Sequence, residues 1–325
     1  MGRGMSDSVP DLVSLIKPPA VLAGASIAVV SPASSAQPER IDSGIAVLRG
    51  LGYDVIEGRR ARGKSPQYFS GTMEERLADL HAAFADPQVR AIICTRGGYG
   101  SNYLLEGLDL GLIRANPKPF FAYSDLTAVQ TWLLDQTGLV AFQGPMAAAD
   151  FCRPDGVHLD SFHAALTGGA ANFGADEGLT TLRPGVARGT LYGGCLSLLA
   201  ASLGTPFAAQ TEGKLLFLED VAARPYQIDR MLRQLVLAGK LDGVTGIVFG
   251  EMLDCVSLDG QGEPIAGLLE AVILRVLDRF EGPIAIGLRS GHVSRSNVTL
   301  PMGVEAELNL EGAPSLTLLE TAVQV

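Results

Sequence analysis

The sequence predicts an α/β protein with two domains: an N-terminal three-layer domain on a parallel sheet, of the flavodoxin or Rossmann kind, and a smaller β-rich C-terminal domain. Three observations support this prediction. In the first half, short apolar runs alternate with segments of helical periodicity, as in a parallel sheet covered by helices on both faces. Glycine and alanine then dominate residues 168–178 and interrupt the pattern. In the second half strand-like runs become more frequent, and three of them close the chain.

The predicted domain boundaries follow these changes of pattern. We expect a flexible lead-in at residues 1–20, an α/β domain at 21–168, a linker at 169–184 and a C-terminal domain at 185–325. The chain has 325 residues, of which 47% are hydrophobic, so both domains have enough apolar side chains for a core of their own.

Local signals predict the elements of the first half. Pro38 and Gly52 bound the first helix, because proline is tolerated at a helix start and glycine is favoured just after a helix end. Thr72 and Glu75 form a capping box that begins the second helix. Strands are predicted at 26–30, 53–57, 89–95, 119–123 and 140–143, and helices at 38–51, 72–84, 108–115, from 125 onwards and at 155–167.

The second half is predicted from the same kinds of signal. Polar and apolar residues alternate around Glu305 and Glu307, which places both carboxylates on the solvated face of one strand. Strands are predicted at 180–182, 187–191, 215–219, 247–249, 284–286, 298–301, 304–309 and 315–319, and helices at 195–203, 226–238 and 268–280.

Composition argues against several classes of function. The net charge is −10, so a nucleic-acid surface, which needs clustered basic residues, is not expected. No apolar run is long enough to cross a bilayer, so no membrane partner is expected. The four cysteines are widely separated, which favours reduced thiols in a cytoplasmic protein over disulfides or a zinc site. His158 and His163 are off the spacing of a helical metal pair, so no metal is expected either.

Two glycine-rich strings match nucleotide-binding motifs but lack their context. Residues 58–65 match the P-loop pattern, yet Pro66 follows at once, where the motif requires a long helix. Residues 98–103 begin like a dinucleotide fingerprint, but Tyr103 stands where the third glycine belongs. We therefore expect a solvated basic loop at the first string and no nucleotide cofactor.

Ser124 lies at a predicted corner between strand 119–123 and the helix that starts at Asp125. Such a corner lifts a hydroxyl out of the sheet and leaves neighbouring backbone N–H groups free. A serine there can attack a carbonyl while the helix N-terminus stabilises the oxyanion. The alternative is that Ser124 only caps the helix, which is the commoner role.

Serine catalysis also needs a base and a group that orients the base. His292 is the candidate base, because it lies in a glycine-flanked loop between strands. Glu219 is the candidate orienting acid, because it ends an otherwise apolar strand; Asp220 is its rival and Asp125 a more distant one. From position alone, a structural histidine and a surface ion pair remain open alternatives.

Several short motifs follow one another along the chain, and together they resemble the LD-carboxypeptidase family of serine peptidases, which includes the microcin C self-immunity hydrolases. The resemblance runs from about Ile27 to Val304. Its motifs are Arg96-Gly97-Gly98-Tyr99-Gly100-Ser101, Asn116-Pro117-Lys118, Tyr123-Ser124-Asp125-Leu126-Thr127, Gly144-Pro145-Met146, Leu218-Glu219-Asp220, Tyr226-Gln227-Ile228-Asp229-Arg230 and Gly291-His292-Val293 with Asn297.

The resemblance implies a role for each candidate residue. Ser124 is the implied nucleophile, His292 the general base and Glu219 the acid that orients it. The backbone N–H groups of Gly98 and Asp125 are the implied oxyanion hole. The C-terminal domain is implied to be a swivelling β/β/α unit, so the site is expected in the cleft between the domains. No metal or organic cofactor is implied.

The implied reaction is hydrolysis of the L,D-amide bond before a terminal D-Ala in cytosolic murein tetrapeptides, a step in cell-wall recycling. Arg96 and Tyr99 are the candidate substrate contacts, and the guanidinium of Arg96 suits a carboxylate. The expected partners are a small peptide substrate and a second copy of the chain in a homodimer. Two alternatives stay open, namely hydrolysis of microcin-type peptide–nucleotides and non-catalytic binding of muropeptides.

Two residues depart from the pattern that the family usually shows. Ala122 stands in the place of a glycine before Tyr123, and its methyl group is expected to tighten the corner at Ser124. Cys195 stands in the place of an asparagine, so the polar contacts of that asparagine are lost. We expect this second departure to affect the range of substrates.

Overall fold

The computed structural model describes residues 14–325, which form two β-sheets with helices packed against them. Most of the lead-in predicted at 1–20 lies outside the described residues. In the described part, Ile16 forms a bridge with Leu139 and Pro19 forms one with Gln324. This segment therefore pairs with distant parts of the chain.

The strands are numbered along the chain. They are β1 (Ser26–Val30), β2 (Asp54–Glu57), β3 (Val89–Cys94), β4 (Phe120–Ala122), β5 (Ala141–Gln143), β6 (Asn172–Phe173), β7 (Thr180–Arg183), β8 (Val186–Cys195), β9 (Lys214–Glu219), β10 (Gly246–Gly250), β11 (Ile284–Leu288), β12 (Leu300–Met302), β13 (Glu305–Asn309) and β14 (Ser315–Leu318).

The helices are numbered in the same way. They are α1 (Pro38–Gly50), α2 (Met73–Ala85), α3 (Leu110–Ala115), α4 (Thr127–Thr137), α5 (Leu159–Thr167), α6 (Leu196–Ser202), α7 (Pro225–Leu237) and α8 (Leu268–Val276). The capping box predicted at Thr72 and Glu75 is confirmed, with both of its hydrogen bonds present. Within residues 14–325, no helix has the length and apolar character needed to cross a membrane.

The first sheet forms the middle of a three-layer domain, as predicted. Its strands lie in the order β12–β5–β4–β3–β1–β2, and β1 to β5 are parallel. Alternate residues of a strand face opposite sides of a sheet. In β1, Ile27 and Val29 therefore pack with α1 and α5, whereas Ala28 and Val30 pack with α2 and α4. The two apolar layers explain why the strands read as nearly continuous hydrophobic runs.

The second sheet has eight strands in the order β6–β14–β13–β8–β9–β10–β11–β7. Strands β8 to β11 are parallel, and antiparallel strands flank them on both sides. A large apolar core packs against this sheet and includes residues of α6, α7 and α8. The α/β fold class with a parallel N-terminal sheet and a second, β-rich unit is therefore confirmed.

Two strand assignments differ from the sequence prediction. Residues 169–184, expected to be a linker, belong to the second sheet, to which they contribute the unpredicted β6 as well as β7, the strand predicted at 180–182. The run at 298–301, expected to close the C-terminal unit, instead forms β12 and pairs antiparallel with β5 of the first sheet. Local sequence indicates that a segment is extended, but the choice of partner strand depends on tertiary packing.

The connection between β11 and β12 crosses from the second sheet to the first, and it carries His292. The later part of this loop is pinned to the N-terminal domain. The N–H of His158 donates to the carbonyl of Asn297 over 3.1 Å, and the N–H of Thr299 donates to Oγ of Ser161 over 3.0 Å. His292 is therefore held between the two sheets.

Helix α1 packs closely on a buried π-helical turn, Ala147–Phe151, that the sequence did not predict. A Cβ atom built on Gly44 in α1 would lie 2.0 Å from the carbonyl oxygen of Ala147. The same atom built on Gly50, at the end of α1, would meet no atom within 4 Å. These two glycines therefore differ in packing although they share one helix.

We expect Gly44→Ala to lower the free energy of unfolding by about 1–3 kcal/mol, because the added methyl group overpacks the contact between α1 and the turn. Gly50→Ala is the matched control and should be neutral or stabilising by up to about 1 kcal/mol, as alanine is the better helix former. Urea unfolding followed by circular dichroism measures both. Equal stability of the two variants would contradict this account of the packing.

Candidate active site

Ser124 lies where β4 ends and the chain turns towards α4. A short 3-10 turn, Ser124–Leu126, joins the two elements. The φ angle of Ser124 is 65°, a left-handed conformation that is strained for a residue with a side chain. Ser124 does not occupy the N-cap position of either the turn or α4, and neither N-cap makes a side-chain hydrogen bond. Ser124 is a half-buried serine on a sharp strand-to-helix turn, the placement of the nucleophile in many serine hydrolases.

The loop Gly97–Gly100 lies directly beside Ser124. A Cβ atom on Gly97 would lie 2.8 Å from Cβ of Ser124, so only glycine fits there. Gly98 has a φ of 108°, and a Cβ atom built on it would lie 2.4 Å from Oγ of Ser34. The hydroxyl of Ser34 accepts a hydrogen bond from the N–H of Tyr99 over 3.1 Å, which fixes the loop.

Asp125 ties this glycine loop to the turn at Ser124. Its Oδ2 accepts a hydrogen bond from the N–H of Ser101 over 2.8 Å, and its carbonyl accepts one from the Ser101 hydroxyl over 2.5 Å. Burial raises the pKa of Asp125, while its hydrogen bonds with Ser101 oppose that effect. The side chain therefore serves to position the loop.

The backbone N–H of Asp125 adjoins Ser124 along the chain, and Gly98 lines the same cavity as Ser124. A Cβ atom on Gly97 would be 3.0 Å from Oγ of Ser124 and 3.2 Å from the N of Asp125. Among residues 14–325, no carbonyl or side chain accepts a hydrogen bond from the N–H of Gly98 or from that of Asp125. Free donors beside a serine hydroxyl can stabilise negative charge that develops on a bound carbonyl oxygen.

Glu219 ends β9 and is completely buried. Its Oε2 accepts hydrogen bonds from the backbone N–H of His292 over 2.9 Å and from Nδ1 of the same histidine over 2.7 Å. A Cβ atom on Gly291 would lie 2.6 Å from Cδ of Glu219, so the adjoining residue must be glycine. The bond at Nδ1 leaves Nε2 as the ring nitrogen that is free to exchange a proton with a ligand.

The rival acids have other partners. Asp220 accepts hydrogen bonds from the N–H groups of Ser197 and Val221, both over 2.9 Å. Asp125 is engaged with Ser101, as described above. Of the three carboxylates that the sequence offers, Glu219 is the one hydrogen-bonded to His292.

The pKa of His292 depends on two opposing effects. Burial by itself lowers the pKa of the imidazole, because it disfavours the charged form. The negative charge of Glu219 and its hydrogen bond favour the imidazolium, and together with the charges of Asp220 and Asp150 they outweigh burial. The pKa of His292 is therefore raised above its ordinary value.

Ser124 and His292 line the same cavity, which has a volume of about 230 Å³. Arg96 and Gly98 also line it. Tyr99, the other predicted substrate contact, is outside this lining and packs against the rings of Tyr68 and Tyr103. Two larger cavities, of about 580 and 620 Å³, contain none of the predicted site residues in their linings.

Asp150 is a buried carboxylate that the sequence analysis did not identify, and Tyr123 connects it to His292. Asp150 accepts a hydrogen bond from the hydroxyl of Tyr123 over 3.3 Å, and the ring of Tyr123 meets the ring of His292 edge to face with centroids 5.1 Å apart. Arg153 pairs with Asp150 over 3.4 Å and donates to the carbonyl of Val293 over 3.1 Å. In the sequence, Asp150 could have been noticed because it is the single acid in the apolar run 146–151.

The two departures from the family pattern both lie near Ser124. Ala122 is fully buried in β4, two residues before the serine. Cys195 ends β8 opposite Glu219, and its N–H donates to Oγ1 of Thr127 over 3.0 Å. Its Sγ lies 3.2 Å from Oγ of Ser197, so this thiol contacts a hydroxyl of α6.

The string that matches a P-loop has its backbone donors occupied within the protein. The N–H groups of Arg59 and Arg60 donate to the carboxylate of Asp79 over 2.7 and 3.1 Å. Helix α2 begins only at Met73, well after the string. A solvated loop rather than a phosphate cradle fits this arrangement.

Serine hydrolases as a class combine an exposed serine with a histidine that a buried carboxylate orients. The present fold brings these three side chains together from two halves of the chain, and the protein falls in that class. Comparison with known proteins then identifies the family. The sequence model of the LD-carboxypeptidase N-terminal domain matches residues 27–144, and that of the LD-carboxypeptidase C-terminal domain matches 188–308.

Individual relatives are similar in sequence to this protein over nearly the whole chain. A probable murein peptide carboxypeptidase of Bacillus subtilis is 39% identical over 90% of this chain and 91% of the relative. The microcin C7 self-immunity protein of Escherichia coli is 29% identical over 86% and 88%. The crystal structure of a muramoyltetrapeptide carboxypeptidase from Oxalobacter formigenes superposes with a TM-score of 0.80 at 30% identity, over 90% of this chain and 98% of that one.

The chain belongs to the LD-carboxypeptidase family and is a serine-type carboxypeptidase. The resemblance seen in the sequence motifs is thereby confirmed.

We expect Glu219→Gln to lower the pKa of His292, because the substitution removes the largest of the charges that raise this pKa. The chain has only four histidines, so ring titration by NMR can follow His292 directly. Glu311→Gln, a change at an exposed carboxylate, is the control and should leave the pKa of His292 as it is. An unchanged pKa in Glu219→Gln would show that Glu219 does not set the charge state of the histidine.

Proposed function

We propose that the protein releases terminal D-Ala from murein tetrapeptides by hydrolysing an L,D-amide bond through an acyl-enzyme. One observation carries the proposal. The imidazole of His292, bonded through Nδ1 to the buried Glu219, lines the same small cavity as the strained Ser124. The names of murein peptide carboxypeptidases among the relatives support the choice of substrate.

The proposed chemistry uses each side chain in a distinct role. His292 takes the proton of the Ser124 hydroxyl through Nε2, and the serine oxygen attacks the amide carbonyl. Glu219 holds the imidazole in position and stabilises its charged form. His292 then gives the proton to the leaving amine, and water releases the acyl group from Ser124.

The proposed oxyanion hole consists of the N–H groups of Gly98 and Asp125. Their proximity to Ser124 and their lack of an acceptor in the described residues support this role. Two hydrogen bonds, from the N–H of Tyr99 to Ser34 and from the N–H of Ser101 to Asp125, hold the two segments that carry these donors. The donors are thus fixed before a substrate binds.

The cavity also suits the terminal residue of the proposed substrate. Ala36, Ala148 and Ala149 line it and leave room for a small side chain. The exposed Arg96 lines it as well, and we propose that its guanidinium contacts the substrate carboxylate. No comparable support exists for Tyr99, which stays a candidate contact from the sequence alone.

The setting proposed for this reaction is cell-wall recycling in the cytoplasm. All four cysteines are free thiols in the structure, which fits a reducing compartment. The homodimer expected from the sequence stays a prediction, which light scattering on the purified protein tests.

A second candidate function is hydrolysis of microcin-type peptide–nucleotides. The similarity to the microcin C7 self-immunity protein of Escherichia coli is the observation in its favour. We rank it below the murein reaction because the relative from Bacillus subtilis with a murein name is 39% identical over 90% of this chain, against 29% over 86% for the microcin relative.

We expect Ser124→Ala to lower kcat by on the order of 10³-fold or more, because the acyl-enzyme can no longer form. Its urea unfolding midpoint should stay close to that of the wild type, since one hydroxyl is removed and no hydrogen bond is lost. Release of D-Ala from murein tetrapeptide measures the reaction. Ser43→Ala, on the exposed face of α1, is the control and should keep full activity.

Labelling separates the enzyme from a protein that only binds muropeptides. An activated phosphonate should modify the wild type at Ser124 and leave Ser124→Ala unmodified. Equal turnover in Ser124→Ala would rule out this serine as the nucleophile.

We expect murein tetrapeptide to be hydrolysed with a kcat/KM at least about tenfold above that of a peptidyl sulfamoyl adenylate, because a small cavity lined by alanines favours a small leaving residue. Liquid chromatography of parallel reactions measures both rates. The opposite order of the two substrates would favour the microcin-type function.

A further inference from the structure

We infer that Arg40 and Arg96 together form the subsite for the carboxylate of the residue that is removed, an inference that rests on the proposed carboxypeptidase function. Both side chains line the cavity that contains Ser124 and His292. They come from separate elements, since Arg40 lies in the first turn of α1 and Arg96 follows β3. Neither the motif nor the resemblance pointed to Arg40.

The charges around this cavity favour an anion. Within residues 14–325, its lining includes two guanidinium groups and no carboxylate side chain. Neither Arg40 nor Arg96 forms an ion pair with any residue of this range. The protein as a whole has a net charge of −10, so the positive charge of this cavity is opposite in sign to that of the whole chain.

The guanidinium of Arg40 is oriented before any ligand arrives. Its Nε donates to Sγ of Cys152 and its Nη2 donates to the carbonyl of Ala149, both over 3.3 Å. Within the described residues Nη1 has no acceptor. A planar group held by two of its nitrogens presents the third in a fixed direction, which suits a carboxylate better than a freely rotating cation does.

Arg96 places the second positive charge beside the proposed oxyanion hole. A Cβ atom built on Gly98 would lie 3.7 Å from Nη2 of Arg96, so the guanidinium folds back along the glycine loop. In a C-terminal residue one carbon atom separates the carboxylate from the scissile nitrogen. The group that binds this carboxylate must therefore share the small cavity of the reacting atoms, as these arginines do.

The test compares murein tetrapeptide with the same peptide whose terminal carboxylate is converted to a carboxamide. Calorimetry on Ser124→Ala gives the two dissociation constants without turnover. We expect the acid to bind about 10- to 100-fold more tightly than the amide, as for hydrogen bonds to a charged group. Arg40→Gln, added to Ser124→Ala, should reduce the preference for the acid over the amide about tenfold. Arg40→Lys in its place should keep part of this preference, because lysine has the charge but not the planar pair of donors of a guanidinium.

The control is Arg49→Gln, which removes an exposed arginine at the far end of α1, outside the cavity, and should leave the ratio unchanged. Equal binding of acid and amide to Ser124→Ala, or an unaltered ratio after Arg40→Gln, would overturn the subsite. Thermal unfolding confirms that each variant is folded. Release of D-Ala by the wild type tests the proposed carboxypeptidase function separately. The subsite can therefore be disproved while the function is confirmed, and the reverse.

Discussion

The buried bond between Glu219 and His292 constrains the whole architecture. A carboxylate that is taken out of water must be paired, and removal of one partner of a buried pair typically costs about 3–5 kcal/mol. One oxygen of Glu219 is shared by the backbone and the ring of His292, so the loop and the side chain are fixed together. That loop must approach the end of β9 closely, which requires Gly291.

The opposite wall of the cavity is fixed by different means. Ser124 is held in a strained backbone conformation, and strain of this kind persists only where surrounding contacts determine it. Those contacts are the hydrogen bonds of Asp125 with Ser101 and the close packing of Gly97. The serine is therefore held by contacts within the N-terminal domain, and the histidine by contacts from both halves of the chain.

Periodicity predicted the first sheet well, because residues such as Ile27 and Ala28 face two apolar layers and leave a hydrophobic run in the sequence. The serine, acid and histidine were predictable as candidates from their places at corners and strand ends, although their roles rested on the resemblance to the family. The pairing of β12 with β5 was not predictable, because the sequence of an extended segment does not specify its partner strand. Arg40 was also missed, because on a helix an exposed arginine looks like any other surface charge.

The late position of β12 in the chain has a consequence for synthesis on the ribosome. Strands β1 to β5 emerge first, but the edge of β5 stays uncovered until Leu300–Met302 has been made. An uncovered edge offers backbone donors and acceptors to other chains. The nascent protein therefore has to protect this edge while residues 144–302, about half of the chain, are made, and the histidine loop directly precedes the strand that finally covers it.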